Sequence, residues 1–334
     1  MTSEQDCGGN LRPELREIIQ SLLDAVGYVS PREKMEPTNL IERIRNALNV
    51  KIRSSYRGTE DCDLDVDSIS KKAASVVEVS ESLISSAFAL NSTEFFYFDH
   101  GFEQKMSFEL YAWFFFYIDD IASGSRDILE NFHRALLQGK AELLPAPLAR
   151  FPSVLASLYD HWDPLAAAMM ATSALDFITG TALEQRRHVV AMEPSVHAPN
   201  WPGFLRTKSG MATGFSCAAF PRSDVPGVAS YIQALPDMDQ LMCLTNDILS
   251  YYKEELAGET MGFVPLTARI TGKSPFAVLR NMVQEVRELH HRIAATLSGD
   301  DDALQKWRTL EQGFVAWHLA IDRFRLCSDY GFVW

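Results

Sequence analysis

The chain has 334 residues, 47% of them hydrophobic and 22% charged, enough to bury a large core. Its 44 acidic against 31 basic residues give a net charge of −13, the wrong sign for a protein that follows nucleic-acid phosphates. The five cysteines, Cys7, Cys62, Cys217, Cys243 and Cys327, show no CxxC spacing; a zinc site and a disulfide framework are not expected, and reduced thiols in the cytoplasm are.

Residues 1–12 are polar, lack the apolar core of a secretory signal, and read as a disordered tail. Residues 13–334 read as one all-α domain. Leu15, Ile18, Ile19, Leu22, Leu23 and Val26 recur at helical spacing, and Gly27 stops them. Residues 39–48 repeat the pattern, 59–67 form an acidic loop, and 68–90 a long helix. A break is expected over 92–97. The next helix, 104–122, carries Phe108, Tyr111, Trp113, Phe114, Phe115, Phe116 and Tyr117.

Helices over 128–138, 154–159 and 165–187 follow. The apolar run 165–183 is interrupted by Thr172, Ser173, Asp176 and Thr179, and reads as a buried helix and not as a membrane span. A proline-containing connector, 194–202, precedes a helical stretch over 204–219 that holds Gly210 and Gly214. Helices over 229–255, 263–270, 274–297 and 304–326 complete the chain. Strand-like alternation is nearly absent and no repeat or composition shift marks a boundary. About a dozen helices are too many for a simple four-helix bundle.

Chemistry concentrates at two places. Asn246, Ser250 and Glu254 stand at i, i+4 and i+8. Each step of four residues turns a helix by about 400°, so the three share one face. An amide oxygen, a hydroxyl and a carboxylate in such a row suit Mg²⁺ or Mn²⁺; the same spacing also suits the polar face of an ordinary amphipathic helix. Asp119 and Asp120 end the aromatic helix, either at the mouth of an apolar cavity or simply at the surface. Aromatics leading to clustered hard oxygens suit a molecule with an apolar tail and a diphosphate head.

With these residues the chain resembles the class I terpene synthases, in particular their fungal trichodiene-synthase-like branch. Asn246, Asp247, Ser250, Lys253 and Glu254 match that family's N-D-x-x-S-x-x-K-E motif, and Asp119–Asp120 stands where its aspartate-rich motif is expected. The resemblance covers roughly residues 70–334. It implies a helical fold around a central cavity that ionises farnesyl diphosphate and cyclises the carbocation with three Mg²⁺ ions, or Mn²⁺ in their place.

The resemblance assigns two ions to Asp119, with Asp120 the weaker ligand, and the third to Asn246, Ser250 and Glu254. It implies diphosphate contacts from Arg206, which stands 40 residues before Asn246, from Lys253 and from Arg323, a linker at Ser209, and a helix-break carbonyl at Gly210; Arg206 would offer phosphate a bidentate contact, a surface arginine being the alternative. Phe115 and Phe116 would face the carbocation, with Phe88 and Trp317 as further aromatics; core packing is the alternative role for each. Two positions depart from the pattern: Ser123 stands for a third acid, and Phe324 for a tyrosine, with Arg325 as a substitute for Arg323.

His290, His291 and His318 are expected to be structural or exposed. Other readings are a C10 or C20 prenyl diphosphate substrate, a chain-elongating prenyltransferase, and a non-catalytic helical binding protein. The want of a second aspartate-rich motif opposes elongation. Neither a membrane nor a nucleic-acid partner is expected, and the resemblance allows a homodimer.

Overall fold

The computed structural model describes residues 13–35, 87–120, 126–144 and 146–334, with the backbone alone at 87–91, 119–120, 126 and 146–147. The tail 1–12, the expected helix 39–48, the loop 59–67, most of the helix 68–90 and Ser123 lie outside the described residues. No strand occurs among the described residues.

The long helices are α1 (Pro13–Ala25), α2 (Ala87–Phe96), α3 (Phe102–Asp120), α4 (Arg126–Leu137) and α5 (Pro164–Gln185). They continue with α6 (Trp201–Ser209), α7 (Ala212–Ala218), α8 (Leu235–Ala257), α9 (Phe263–Thr271), α10 (Pro275–Thr296) and α11 (Asp301–Ala320). Their starts follow local chemistry. Asp163, Ser274 and Asp300 cap α5, α10 and α11 by accepting from the backbone N–H of Leu165, Ala277 and Ala303 at 2.8, 3.2 and 3.0 Å. Pro236 lies in the first turn of α8, where its missing N–H costs no helical bond.

Helix α8 packs against α7 and α10, and α5 against α4, α6 and α7. Helix α11 packs on α2, which packs on α3, while α1 covers α10 with its buried seam of Leu15, Ile18, Ile19 and Leu22. Gly180 sets how closely α5 and α6 approach: a β-carbon there would fall 2.8 Å from the Ser209 backbone nitrogen. Helix α5 has the length and apolarity to cross a membrane, yet 56% of its most apolar window is buried within the structure, as in a core helix.

Three expectations need correction. The break placed over 92–97 is helix up to Phe96. Ser92, Thr93 and Glu94 read as a polar interruption but are buried in the α2–α3 interface, where the Thr93 hydroxyl donates to Glu109. The helix expected over 229–255 starts only at Leu235, with Val228–Ser230 a separate 3-10 turn; the stretch 204–219 breaks at Gly210, where the resemblance implied a break. The last helix stops at Ala320 and not at 326: Ile321 is extended, and Arg325 takes a left-handed backbone at φ 58°.

Glu109 is 1% exposed. Burial raises its carboxyl from 4.5 to about 8; the Thr93 hydroxyl opposes the shift and the Glu94 carboxylate adds to it. The folded chain therefore keeps a proton on Glu109 that the unfolded chain releases above pH 4.5. Stability from this group is complete below its unfolded value and is lost as pH rises toward about 8, by up to about 1.4 kcal/mol per pH unit. Chemical denaturation across that window should show Glu109→Gln flattening the decline and exceeding the wild-type stability at its alkaline end.

Candidate active site

A cavity of about 240 Å³ opens among α2, α3, α5, α6, α7, α8 and α11. Its apolar wall takes Phe96 from α2, Phe115 and Phe116 from α3, Phe177 from α5 and Phe215 from α7. Phe314 and Trp317 of α11 and Phe324 beyond it close the wall. The rings hold one another in edge-to-face and tilted contacts, with centroids 4.5 Å apart for Phe115–Phe177, 5.5 Å for Phe96–Trp317 and 5.0 Å for Trp317–Phe324. Such contacts fix ring orientation, so the wall has a defined shape.

The polar part of the lining comes mainly from α8, with Asn246, Asp247, Ser250, Lys253 and Glu254, and is joined by Arg206 of α6 and by Arg323. Arg206 Nε lies 2.8 Å from Asp247 Oδ1, and Arg206 Nη2 donates to Asn246 Oδ1 at 2.9 Å. Burial disfavours the charged guanidinium, but the Asp247 and Glu254 carboxylates and the Cys243 thiol more than offset this and raise it above its ordinary range. Arg206 is thus a fixed cation in the cavity wall. Lys253 lies 3.4 Å from Glu254 and 3.9 Å from Glu259.

Gly210 is needed for space and not for backbone freedom. Its φ is −89°, an ordinary helical value, while Met211 takes the left-handed turn at φ 49°. A β-carbon at 210 would fall 2.8 Å from the Arg206 carbonyl, 2.9 Å from Cys243 Sγ and 3.0 Å from Arg206 Nη1. The break therefore lets α6 end with Arg206 pressed against α8. Helix α7 is tied to α8 in turn, through a hydrogen bond from the Thr213 hydroxyl to Asp239.

The structure brings together Arg206, Gly210, Asn246, Ser250, Lys253, Glu254, Phe115, Phe116, Trp317 and Arg323 on one cavity. Asp119 and Asp120 are the last two residues of α3, and Phe88 lies in α2; their side chains lie outside the described residues. Arg325 pairs with Asp329 at 2.9 Å, lies over the Tyr252 ring, and is not among the residues that line the cavity. His290 is structural, bonded to Glu311 at 2.8 Å, and His291 is exposed.

His318, expected to be structural or exposed, is buried and touches a residue of the α8 row. It is fully buried; its Nδ1 is 2.7 Å from the Phe314 carbonyl and its Nε2 is 2.9 Å from Asn246 Nδ2. Burial lowers its pKa to about 3, the Phe314 carbonyl opposing and the Lys253 and Arg206 cations reinforcing, so the ring is neutral. Sequence spacing gave no sign of this contact, since 72 residues separate the partners. Asp247 was legible only as a letter of the motif, and Phe96, Phe177, Phe215 and Phe314 only as apolar positions.

Among the described residues no three His, Cys, Asp or Glu side chains cluster as a metal site. The donor set on α8 is of another kind: amide, hydroxyl and carboxylate oxygens on one cavity wall. Two observations fit a cation there. Burial pushes the Glu254 carboxyl up to about 7, with Lys253 opposing and Asp247 and Glu259 reinforcing. Buried Asp247 Oδ2 has no hydrogen-bond partner. A divalent ion would offset both.

Truncating one member of a buried ion pair costs about 3–5 kcal/mol, because the other charge is left without a counter-charge. Asp247→Ala should lower the free energy of unfolding in urea by about that amount. Asp247→Asn should cost less, because an amide oxygen still accepts from Arg206.

Comparison with known proteins agrees with this geometry. A family profile described as trichodiene synthase (TRI5) matches residues 71–332. Terpene synthase BipA of Cochliobolus sativus is 31% identical over 246 residues, 72% of this chain and 75% of the relative. Longiborneol synthase CLM1 of Gibberella zeae is 29% identical over 231 residues, 68% of each chain. Monoterpene synthase 25 of Postia placenta is 28% identical over 231 residues, 69% of each. The chain belongs to the trichodiene synthase family and is an all-α terpene synthase.

Proposed function

We propose that the chain is a Mg²⁺-dependent sesquiterpene cyclase acting on farnesyl diphosphate. The observation that carries this reading is the mixed lining of one cavity: aromatic rings together with hard oxygens and half-buried cations. An isoprenyl diphosphate likewise joins an apolar chain to an anionic head.

Asn246, Ser250 and Glu254 would hold one ion, and Asp119, with Asp120 as the weaker ligand, two more. The ions, when bound, neutralise charge that builds on the diphosphate as its carbon–oxygen bond breaks. Arg206, Lys253 and Arg323 hold the diphosphate oxygens; the guanidinium of Arg206 offers a bidentate contact. For Arg206 this means exchanging Asn246 and Asp247 for phosphate oxygens, with Asp247 still near to keep it charged.

The aromatic wall then has two tasks. Its closely packed rings keep water from the carbocation, and their faces stabilise positive charge as it moves along the chain. Phe115, Phe116 and Trp317 line the cavity beside Phe96, Phe177 and Phe215. Phe324, in place of a tyrosine, adds a ring where a hydroxyl would have met the diphosphate; it packs 4.4 Å from His318 and 5.0 Å from Trp317. Free thiols at Cys217, Cys243 and Cys327 support a cytoplasmic setting.

Purified protein with Mg²⁺ and farnesyl diphosphate should release inorganic diphosphate and a C15 hydrocarbon. Parallel incubations with the C10 and C20 substrates test chain length, a C10 preference being the outcome suggested by the relative named a monoterpene synthase. Added isopentenyl diphosphate tests elongation. No diphosphate release from any of them contradicts the reading. Glu254→Ala should lower turnover by about 10²–10³-fold with an unchanged melting temperature, and Asn246→Ala should lower it as much with some loss of thermal stability, because buried His318 Nε2 loses its donor. Near-normal turnover in both would reduce the α8 row to a polar helix face.

A further inference from the structure

A metal accepts only one of the two ends of an asparagine side chain. The amide oxygen can ligate Mg²⁺ and the NH₂ cannot, so a half-turn of the Asn246 amide would abolish its part in the site. Something must choose the end that faces the cavity.

The choice is made by a hydrogen-bond chain with one direction. At one end, Arg206 can only donate, so the Asn246 atom 2.9 Å from its Nη2 must be oxygen. At the other end, the Phe314 carbonyl can only accept, so His318 Nδ1, 2.7 Å away, must carry the proton. The amide end so fixed turns its NH₂ to His318 Nε2, 2.9 Å away; two donors cannot face each other, so Nε2 is bare and the ring, protonated at Nδ1, is neutral. The two ends of the chain thus allow one arrangement of protons. Protons are donated from Arg206 to Asn246, from Asn246 to His318 and from His318 to the backbone of α11.

The arginine alone would not hold this orientation during binding, because the diphosphate and the metal compete for it and for Oδ1. The histidine contact lies on the side away from that competition. His318 is fully buried, and its ring is clamped by Phe314, Trp317 and Phe324 at centroid distances of 4.6, 4.9 and 4.4 Å. It cannot turn without displacing the aromatic wall.

We propose that His318 is a positioning residue for the α8 metal site: by accepting from Asn246 Nδ2, it keeps Asn246 Oδ1 turned toward the metal. This rests on the reading of Asn246, Ser250 and Glu254 as metal ligands. It also ties the shape of the aromatic wall to the metal site, since the same ring packs in one and bonds to the other.

The test compares Mn²⁺ binding, followed by the electron paramagnetic resonance of free Mn²⁺, in the presence of saturating inorganic pyrophosphate. His318→Phe keeps a ring but offers no acceptor. It should weaken Mn²⁺ binding by about 10–100-fold, the usual cost of removing a group that orients a metal ligand. His318→Gln can accept from Asn246 and donate to the Phe314 carbonyl, and should restore most of the affinity. Melting temperatures without metal separate packing from positioning: a merely structural role lowers them and leaves Mn²⁺ affinity alone.

Wild-type affinity in a folded His318→Phe, or a Gln variant as weak as the Phe variant, overturns the proposal. So does nitrogen NMR of the metal-free wild-type protein, a measurement that needs no variant, if it finds the proton on His318 Nε2; the expected state is Nδ1–H with a bare Nε2. Wild-type protein that binds no Mn²⁺ at all contradicts the metal reading beneath it.

Discussion

The buried contact of Arg206 with Asp247 and Asn246 is the constraint on which the rest of the site depends. A guanidinium in a protein interior must have a counter-charge, and here both it and the carboxylate are supplied by helices that meet at the cavity. That requirement explains the neighbouring irregularities. Helix α6 stops one turn after Arg206, Gly210 leaves the space a side chain would fill, and Met211 takes the left-handed turn that starts α7 in a new direction. Gly180 lets α5 come close enough to support α6 from behind.

The aromatic wall is the second constraint, and it is mechanical. Each ring is positioned by the next, from Phe177 through Phe115 to Phe215, and from Phe116 through Trp317 to Phe324. Interiors packed at this density resist small displacements, so the cavity contour is a property of many residues together. A cyclase needs such rigidity, because the fold of a flexible prenyl chain is set by the surface it meets. The apolar and polar parts of the lining join at α11, where Trp317 lines the cavity and the next residue, His318, reaches Asn246.

Much of this was legible in the residues. The 3.6-residue spacing of apolar positions located α1, α5 and α10 to within a few residues, and the end of α8 but not its start, because amphipathic and apolar helices declare themselves by period. The spacing of Asn246, Ser250 and Glu254 placed them on one face of α8, and that face lines the cavity. Ser92, Thr93 and Glu94 misled, because polar residues signal a loop unless their buried partner is known. The end of α11 misled too: nothing local announces that Arg325 will take a left-handed backbone. His318 was invisible as a functional group because its partner is 72 residues away and only packing brings them together. Arg323 was preferred to Arg325 by resemblance alone; the turn between them, which sends one to the cavity and the other to Asp329, has no local signal.

The central claim is that α8 supplies half of a metal clamp for a diphosphate. The most direct measurement is a crystal structure with Mn²⁺ and inorganic pyrophosphate, using the anomalous signal to locate the ions. The account predicts a peak bound by Asn246 Oδ1, Ser250 Oγ and the Glu254 carboxylate, with the Arg206 guanidinium on a pyrophosphate oxygen. Pyrophosphate held elsewhere, or an α8 row with no ion beside it, would contradict the account.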